Sequence, residues 1–257
     1  ESKPYDGTTD ATLDFAASTL DDTVAGDDVS VDEEAVTAAF DDPNVGTAKP
    51  VTVGNLTLTG ADAGNYSVVL AAPLTGDITK ATLTVSGLTA SKVYDGTTDA
   101  TAFLDATNVT FSGAAATDTP VLDVSVATAG FADANAGTGI ALTVTGLVVT
   151  GVDLANYEVV YGSFTGDIEQ KALIVTGVTA TNRAYNGETG VVVDAAGAVL
   201  DVSGLVGADQ VSLDDASLAD ASGEMADKNA GLGKNVTVSG LLLTGAGAAN
   251  YKIEATT

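Results

Sequence analysis

Lys92-Val93-Tyr94-Asp95-Gly96-Thr97-Thr98-Asp99-Ala100-Thr101 repeats a stretch used earlier in the chain, Lys3-Pro4-Tyr5-Asp6-Gly7-Thr8-Thr9-Asp10-Ala11-Thr12, and returns a third time as Arg183-Ala184-Tyr185-Asn186-Gly187-Glu188-Thr189. The three tyrosines are 89 and 91 residues apart. Self-similarity at a fixed period marks a repeat architecture and has to be read before any single element. Two further markers keep the same order. Phe40-Asp41-Asp42-Pro43-Asn44-Val45-Gly46 is echoed by Phe131-Ala132-Asp133-Ala134-Asn135-Ala136-Gly137 and by Met225-Ala226-Asp227-Lys228-Asn229-Ala230-Gly231. Gly64-Asn65-Tyr66 is echoed by Ala155-Asn156-Tyr157 and Ala249-Asn250-Tyr251.

The spacing divides each repeat into a constant and a variable half. From Phe40 to Asn65, from Phe131 to Asn156 and from Met225 to Asn250 the distance is 25 residues each time. From the motif tyrosine to Phe40, Phe131 or Met225 it is 35, 37 and 40 residues. Drift in length is what loops tolerate, so the variable half is expected to hold an exposed loop. In the constant half, Val51-Thr52-Val53 and Leu56-Thr57-Leu58-Thr59 alternate apolar and polar with period two, the strand signature. Leu142-Thr143-Val144 with Leu147-Val148-Val149, and Val236-Thr237-Val238 with Leu241-Leu242-Leu243, fill the same slots. Tyr66-Ser67-Val68-Val69-Leu70 reads as a further strand, and Leu83-Thr84-Val85 and Leu173-Ile174-Val175 open the second and third repeats. The fold class expected is all-β: three tandem small β-sandwich modules, Ig-like or β-grasp-like, in a linear array. Their bounds are 1–79, 80–170 and 171–257, with short joints around Ile78-Thr79-Lys80-Ala81 and Ile168-Glu169-Gln170-Lys171-Ala172. The first module starts only four residues before Tyr5 and lacks the opening strand of the other two; the third ends six residues after Tyr251, without the Gly-Asp-Ile that closes the others at Gly76-Asp77-Ile78 and Gly166-Asp167-Ile168. The expectation is a segment cut out of phase with its modules, completed by adjacent sequence or by a neighbouring copy.

Composition narrows the functional classes. Nine Lys and Arg stand against 35 Asp and Glu, a net charge of −26. Such a surface repels nucleic acid phosphates and anionic membranes, so neither is expected as a partner. No apolar run reaches the length of about eighteen residues needed to span a bilayer, and Glu1-Ser2-Lys3-Pro4 has no apolar core, so any secretion signal is expected to lie outside this segment. With neither Cys nor His present, disulfides, thiol chemistry and Cys/His zinc sites are ruled out, as are nucleophile systems built on either residue. No phosphate loop is present and no carboxylate pair stands out for glycoside hydrolysis, so no enzyme and no catalytic residue is expected.

At the residues quoted above the chain resembles the YDG-type repeat of large bacterial surface proteins, including filamentous haemagglutinin-like adhesins. The resemblance rests on Lys-Val-Tyr-Asp-Gly-Thr-Thr, the Asp-x-Asn-x-Gly turn, two strands ending in Thr-Gly, the Asn-Tyr pair and the closing Gly-Asp-Ile, and spans essentially the whole chain. It implies an extracellular structural module: a stalk segment holding other domains of an adhesin away from the cell. Two alternatives stand beside it, a ligand-binding adhesin module and a subunit of a head-to-tail surface filament completed by strand exchange. Partners would be adjacent repeats or neighbouring copies.

Four motifs invite a functional reading. Tyr-Asp-Gly is read as a turn, because Asp6 and Asp95 become Asn186, which keeps turn chemistry and discards the charge a general acid or base needs. Six of the seven tyrosines occupy two repeat slots, and each is expected to anchor the core of its own module with its hydroxyl at the rim. The pairs Asp42 and Asn44, Asp133 and Asn135, and Asp227 and Asn229 look like the first half of a calcium loop, with oxygens at alternate positions before a Gly, although the later bidentate Glu is missing and an Asx turn uses the same residues. Asp77 and Asp167, beside the joints, are further calcium candidates. No cofactor is required; weak calcium binding is the one metal expectation. Isopeptide bonds are disfavoured, since Arg183 replaces Lys3 and Lys92, and Ile140 replaces Lys49 and Lys234.

Overall fold

The structure is a computed structural model that describes residues 1–254. It is all-β: short strands make up its regular structure, with one α-helical turn, Asp215–Leu218, and several three-residue 3-10 turns. Val, Thr and Leu in alternation favour short half-buried strands, and the frequent Gly and Asp residues stop them.

The compact units do not follow the repeats. One is made of Glu1–Gly87, Val109–Ser125 and Leu147–Gly162; the other of Leu88–Asn108, Val126–Gly146 and Ser163–Thr257. The second repeat therefore contributes strands to both.

In the first unit, the closing strand of repeat 1, Leu74–Thr79, lies between Lys3–Pro4, to which it is parallel, and Gly46–Gly54, to which it is antiparallel. Thr37–Phe40 completes this four-stranded sheet. A second sheet is built around the opening strand of repeat 2, Ala81–Ser86, with Thr110–Ser112 antiparallel on one side and Tyr157–Tyr161 parallel on the other. Ala81, Leu83 and Val85 are buried on one face while Thr82 is exposed, the alternation read from sequence. Phe40, Ile78, Leu83 and Val85 are the core.

In the second unit, repeat 2 forms a five-stranded sheet in the order Thr128–Phe131, Gly137–Thr145, Phe164–Glu169, Thr89–Val93, Leu104–Asp105. Its closing strand, Phe164–Glu169, is antiparallel to Gly137–Thr145 and parallel to Thr89–Val93, as in repeat 1. Repeat 3 supplies smaller pieces: Gly190–Val191, Ser222–Met225 and Val236–Ser239 in one sheet, and the pairs Thr179–Ala180 with Val193–Asp194 and Lys171–Leu173 with Tyr251–Ile253. Leu88, Ile168, Leu173 and Val175 are large, fully buried apolar side chains of the second unit.

The pairing shows what the strand pattern left open, and one expectation, the strand at 66–70, is corrected. The two constant-half strands do not pair with each other: Gly137–Thr145 joins the five-stranded sheet, whereas Val148–Thr150 pairs with Val121–Asp123 in the first unit. Residues 66–70 are not a strand, although Tyr157–Tyr161 in the same slot is one. The reason is the partner. Tyr157–Tyr161 hydrogen-bonds to Ala81–Val85, and the described residues contain no equivalent opening strand for repeat 1; Val69 is accordingly 82% exposed. Beside its loops, the variable half of repeat 2 also carries Leu104–Asp105, Thr110–Ser112 and Val121–Asp123.

Candidate functional site: the lock where two repeats meet

Each Asn-Tyr pair is presented by the same local device. A 3-10 turn, Leu154–Asn156 or Ala248–Asn250, ends on the Asn, and the following Tyr is extended. The turn aims the Asn and the Tyr at the preceding repeat.

In the first unit, Tyr157 meets Tyr5 edge to face, with ring centroids 5.3 Å apart and planes at 81°. The hydroxyl of Tyr157 donates to Asp118 Oδ2 at 2.5 Å and accepts from the backbone N–H of Ala115 at 2.8 Å; the Tyr5 hydroxyl reaches the same carboxylate oxygen at 3.5 Å. Beside it, Asn156 is 1% exposed. Its Oδ1 accepts from Val45 N at 2.9 Å and its Nδ2 donates to Asn44 Oδ1 at 3.0 Å, so it closes the Asp-x-Asn-x-Gly loop of repeat 1.

The second unit repeats the lock between repeats 2 and 3. Tyr94 and Tyr251 stand at 5.5 Å and 78°, and both donate to Asp209 Oδ2, at 3.0 and 2.8 Å. Val206 N donates to the Tyr251 hydroxyl at 2.8 Å. Asn250 accepts from Ala136 N at 2.8 Å and donates to Asn135 Oδ1 at 3.0 Å. An edge-to-face aromatic pair whose hydroxyls converge on a shared carboxylate gives both apolar contact and a fixed orientation.

Tyr157 and Tyr251 thus anchor their own repeats through their hydroxyls, as expected, and in addition each packs on the motif tyrosine of the preceding repeat. Tyr5, Tyr94, Tyr157 and Tyr251 are buried where one repeat meets the next. The same residue types are less buried where the described residues offer no neighbouring repeat: Tyr185 is 62% exposed, and Tyr66 is half-buried, keeping only its local bonds to Asp27 and Val24.

Sequence reading missed Asp27, Asp118 and Asp209. They lie in the length-variable half, where no motif drew attention to them. A signal was available: each stands three residues after the residue whose N–H caps the tyrosine, as Val24-x-x-Asp27, Ala115-x-x-Asp118 and Val206-x-x-Asp209.

The Tyr-Asp-Gly turn supports the lock from behind. Asp6, Asp95 and Asn186 each use Oδ1 to accept from the backbone N–H two residues on, an Asx turn, with the next Gly left-handed at φ +80° (Gly7), +78° (Gly96) and +83° (Gly187). Lys92, 4% exposed, drives its ammonium into this turn and donates to Asp95 Oδ1, Thr97 O, Thr97 Oγ1 and Asp99 O at 2.7–3.0 Å. Desolvation pushes the Asp95 carboxyl up, but the Lys92 ammonium and the Thr97 donors together outweigh it and hold it below the ordinary carboxylate value. Repeat 3 exchanges the Lys–Asp pair for Arg183 and Asn186, which remain bonded to each other.

The oxygens expected to ligate calcium are engaged otherwise. Asp42, Asp133 and Asp227 accept from the backbone N–H of Asn44, Asn135 and Asn229 at 2.8–2.9 Å, the Asx turn. Asn44 and Asn135 accept from the locking Asn of the next repeat. A lysine ammonium also sits at two of the loops: Lys49 on Asp41 and Asp42 (3.2 and 2.6 Å), Lys234 on Asp227 (2.5 Å). Asp77 and Asp167 accept from Ala48 N and Gly139 N, each at 2.8 Å, across the bulge opposite the closing strand. Because these partners compete with calcium for the same oxygens, thermal melts in chelator and in calcium at about 1 mM, the upper range for extracellular modules, are expected to give the same midpoint. A rise specific to calcium over magnesium would show that these loops ligate calcium.

The lock also predicts an alkaline limit. Burial raises the hydroxyls of Tyr157 and Tyr251 to about 12, and the carboxylates of Asp118 and Asp209 push the same way. In the unfolded chain these phenols titrate near 10.0. The folded state therefore holds its protons more tightly, so this contribution to stability is complete below about pH 10 and is lost as pH rises through about 12. Urea denaturation across that window should show falling stability, with a shallower fall in the Tyr157→Phe, Tyr251→Phe double variant.

Comparison with known families places these observations in one class. The family model described as the YDG domain matches residues 1–75, 79–164 and 169–257. The chain belongs to the YDG domain family, as three tandem copies. Comparison with curated proteins and with solved structures returns no match.

Proposed function

We propose that the chain is a structural extender: a non-catalytic segment of a bacterial cell-surface adhesin that holds other domains away from the cell. The observation that carries this reading is the lock. The same aromatic pair, shared carboxylate and buried Asn are built twice, by equivalent residues, where successive repeats meet. A joint that is repeated and buried suits transmission of position along a chain. Of the seven tyrosines only Tyr161 lies outside the two shared slots, so no repeat adds a cluster of tyrosines that would mark a sugar or peptide site. The net charge of −26 suits a soluble array that does not clump.

The test uses cells expressing the parent protein. An antibody against this segment should label intact cells. Deleting residues 1–257 should leave the rest of the protein exported and displayed but bring its far domain closer to the surface, measured by its accessibility to proteins of graded size. Absence of labelling on intact cells, or an unchanged reach after deletion, would overturn the reading.

A further inference from the structure

In repeats 1 and 2 the closing strand is inserted between two others. Leu74–Thr79 separates Gly46–Gly54 from Lys3–Pro4, and Phe164–Glu169 separates Gly137–Thr145 from Thr89–Val93. In repeat 3 the flanking segments are present, Thr179–Ala180 on one side and residues 231–236 leading into Val236–Ser239 on the other, and nothing lies between them among the described residues. Val236–Ser239 pairs with Ser222–Met225, and Thr179–Ala180 pairs with Val193–Asp194, each on its far side. Between them is a cleft of about 560 Å³ whose apolar lining includes Val178, Ala180, Val193, Val236 and Val238.

Several groups in and beside the cleft are set for a strand. Tyr5 N donates to Thr79 O and Tyr94 N to Glu169 O, at 2.8 and 2.9 Å, whereas Tyr185 N has no acceptor among the described residues. The Nε of Arg183 is buried without a partner. Gly233, at φ +63°, keeps the left-handed backbone of Gly139 at φ +65°, whose N–H meets Asp167 of the closing strand. An open sheet edge beside an apolar trough is the standard receptor for strand addition, where main-chain bonds supply affinity and alternate side chains supply specificity.

We propose that this cleft is an acceptor site for one extended segment, the closing strand of a YDG repeat with the pattern apolar-Thr-Gly-Asp-Ile, entering antiparallel to residues 231–236, the equivalents of Gly137–Leu142, and parallel to Thr179–Ala180. The pattern follows from the filled clefts. Phe164, Gly166 and Ile168 point inward and are buried, while Thr165, Asp167 and Glu169 are exposed. Ile168 is 2% exposed and is the plug. Gly is required at the centre because a Cβ on Gly166 would lie 2.2 Å from the Ala90 carbonyl oxygen, and Ala180 occupies the Ala90 position in repeat 3. The Asp of the incoming strand meets the N–H of Gly233. The inference does not depend on the extender function, since it concerns the chemistry of one cleft.

The test titrates the full chain with a labelled peptide of residues 162–171, Gly-Ser-Phe-Thr-Gly-Asp-Ile-Glu-Gln-Lys. Saturable binding is expected, with amide exchange slowed about tenfold or more at residues 179–180, 185 and 231–236. A peptide with Gly166→Val should bind at least about tenfold more weakly, by the clash just described. The same peptide fused after Thr257 through a flexible linker raises its effective concentration to the millimolar range, so weak affinity cannot hide occupancy. Unprotected amides in the fused chain, equal binding of the Gly166→Val peptide, or pairing of two chains through residues 231–236 that excludes the peptide would each overturn the proposal.

Discussion

Tyr157→Ala is expected to destabilise the first unit by about 3–5 kcal/mol, the range for removing a large buried aromatic. Tyr157 is 2% exposed, packs edge to face on Tyr5 and joins Asp118 to the N–H of Ala115. Truncation leaves a cavity, an unpaired buried N–H and a carboxylate without its best donor. The same change at Tyr66 provides the internal control. That residue fills the same slot and keeps equivalent bonds to Asp27 and Val24, but it is only half-buried and meets no partner tyrosine. Tyr66→Ala should cost less than half as much, about 1–2 kcal/mol. Urea midpoints of the two variants decide the matter. Equal losses would mean that the aromatic pair contributes little and that each tyrosine acts only within its own repeat.

The second large effect is expected at Gly96. Its φ of +78° disfavours any side chain, and a Cβ there would lie 2.8 Å from Val206 Cγ1 of the next repeat. Gly96→Val therefore combines a strained turn with a clash in the lock, each worth about 1–3 kcal/mol, for a total of about 2–6 kcal/mol. Gly187 has the same turn, φ +83°, but open space around it apart from Tyr185 Oη at 3.9 Å. Gly187→Val should cost the turn strain alone, about 1–3 kcal/mol. The difference between the two variants isolates the contact with the next repeat. No difference would show that the Gly is needed for the turn and not for the joint.

Much of this architecture is legible before any coordinates. The spacing of Tyr5, Tyr94 and Tyr185 establishes three repeats, and the alternation in Val51-Thr52-Val53 and Leu83-Thr84-Val85 places strands where they are found. The change of Asp6 and Asp95 to Asn186 identifies a turn rather than a site, and the Asx turns and left-handed glycines are there. These readings succeed because turn chemistry and strand period are local: a few adjacent residues carry them.

Partnership between distant residues is not local, and the tertiary structure alone decides it. Residues 66–70 have the same pattern as 157–161 yet form no strand, because a strand exists only where another offers its backbone, and here that partner is Ala81–Ser86. The tyrosine slots were visible, but their burial between repeats depends on Asp118 and Asp209, which lie 39 and 42 residues before the tyrosines they bind, in the half whose length varies. The Asn of Asn-Tyr and the Asn of Asp-x-Asn-x-Gly were read as separate motifs; folding makes them the two sides of one hydrogen-bonded contact, 112 and 115 residues apart. Sequence by itself determined the repeat, the turns and the strand period. Only the tertiary structure decided which strands pair, where one repeat grips the next and which cleft stays open, because each of these requires groups far apart in the chain to satisfy one another's hydrogen bonds and bury one another's apolar surface.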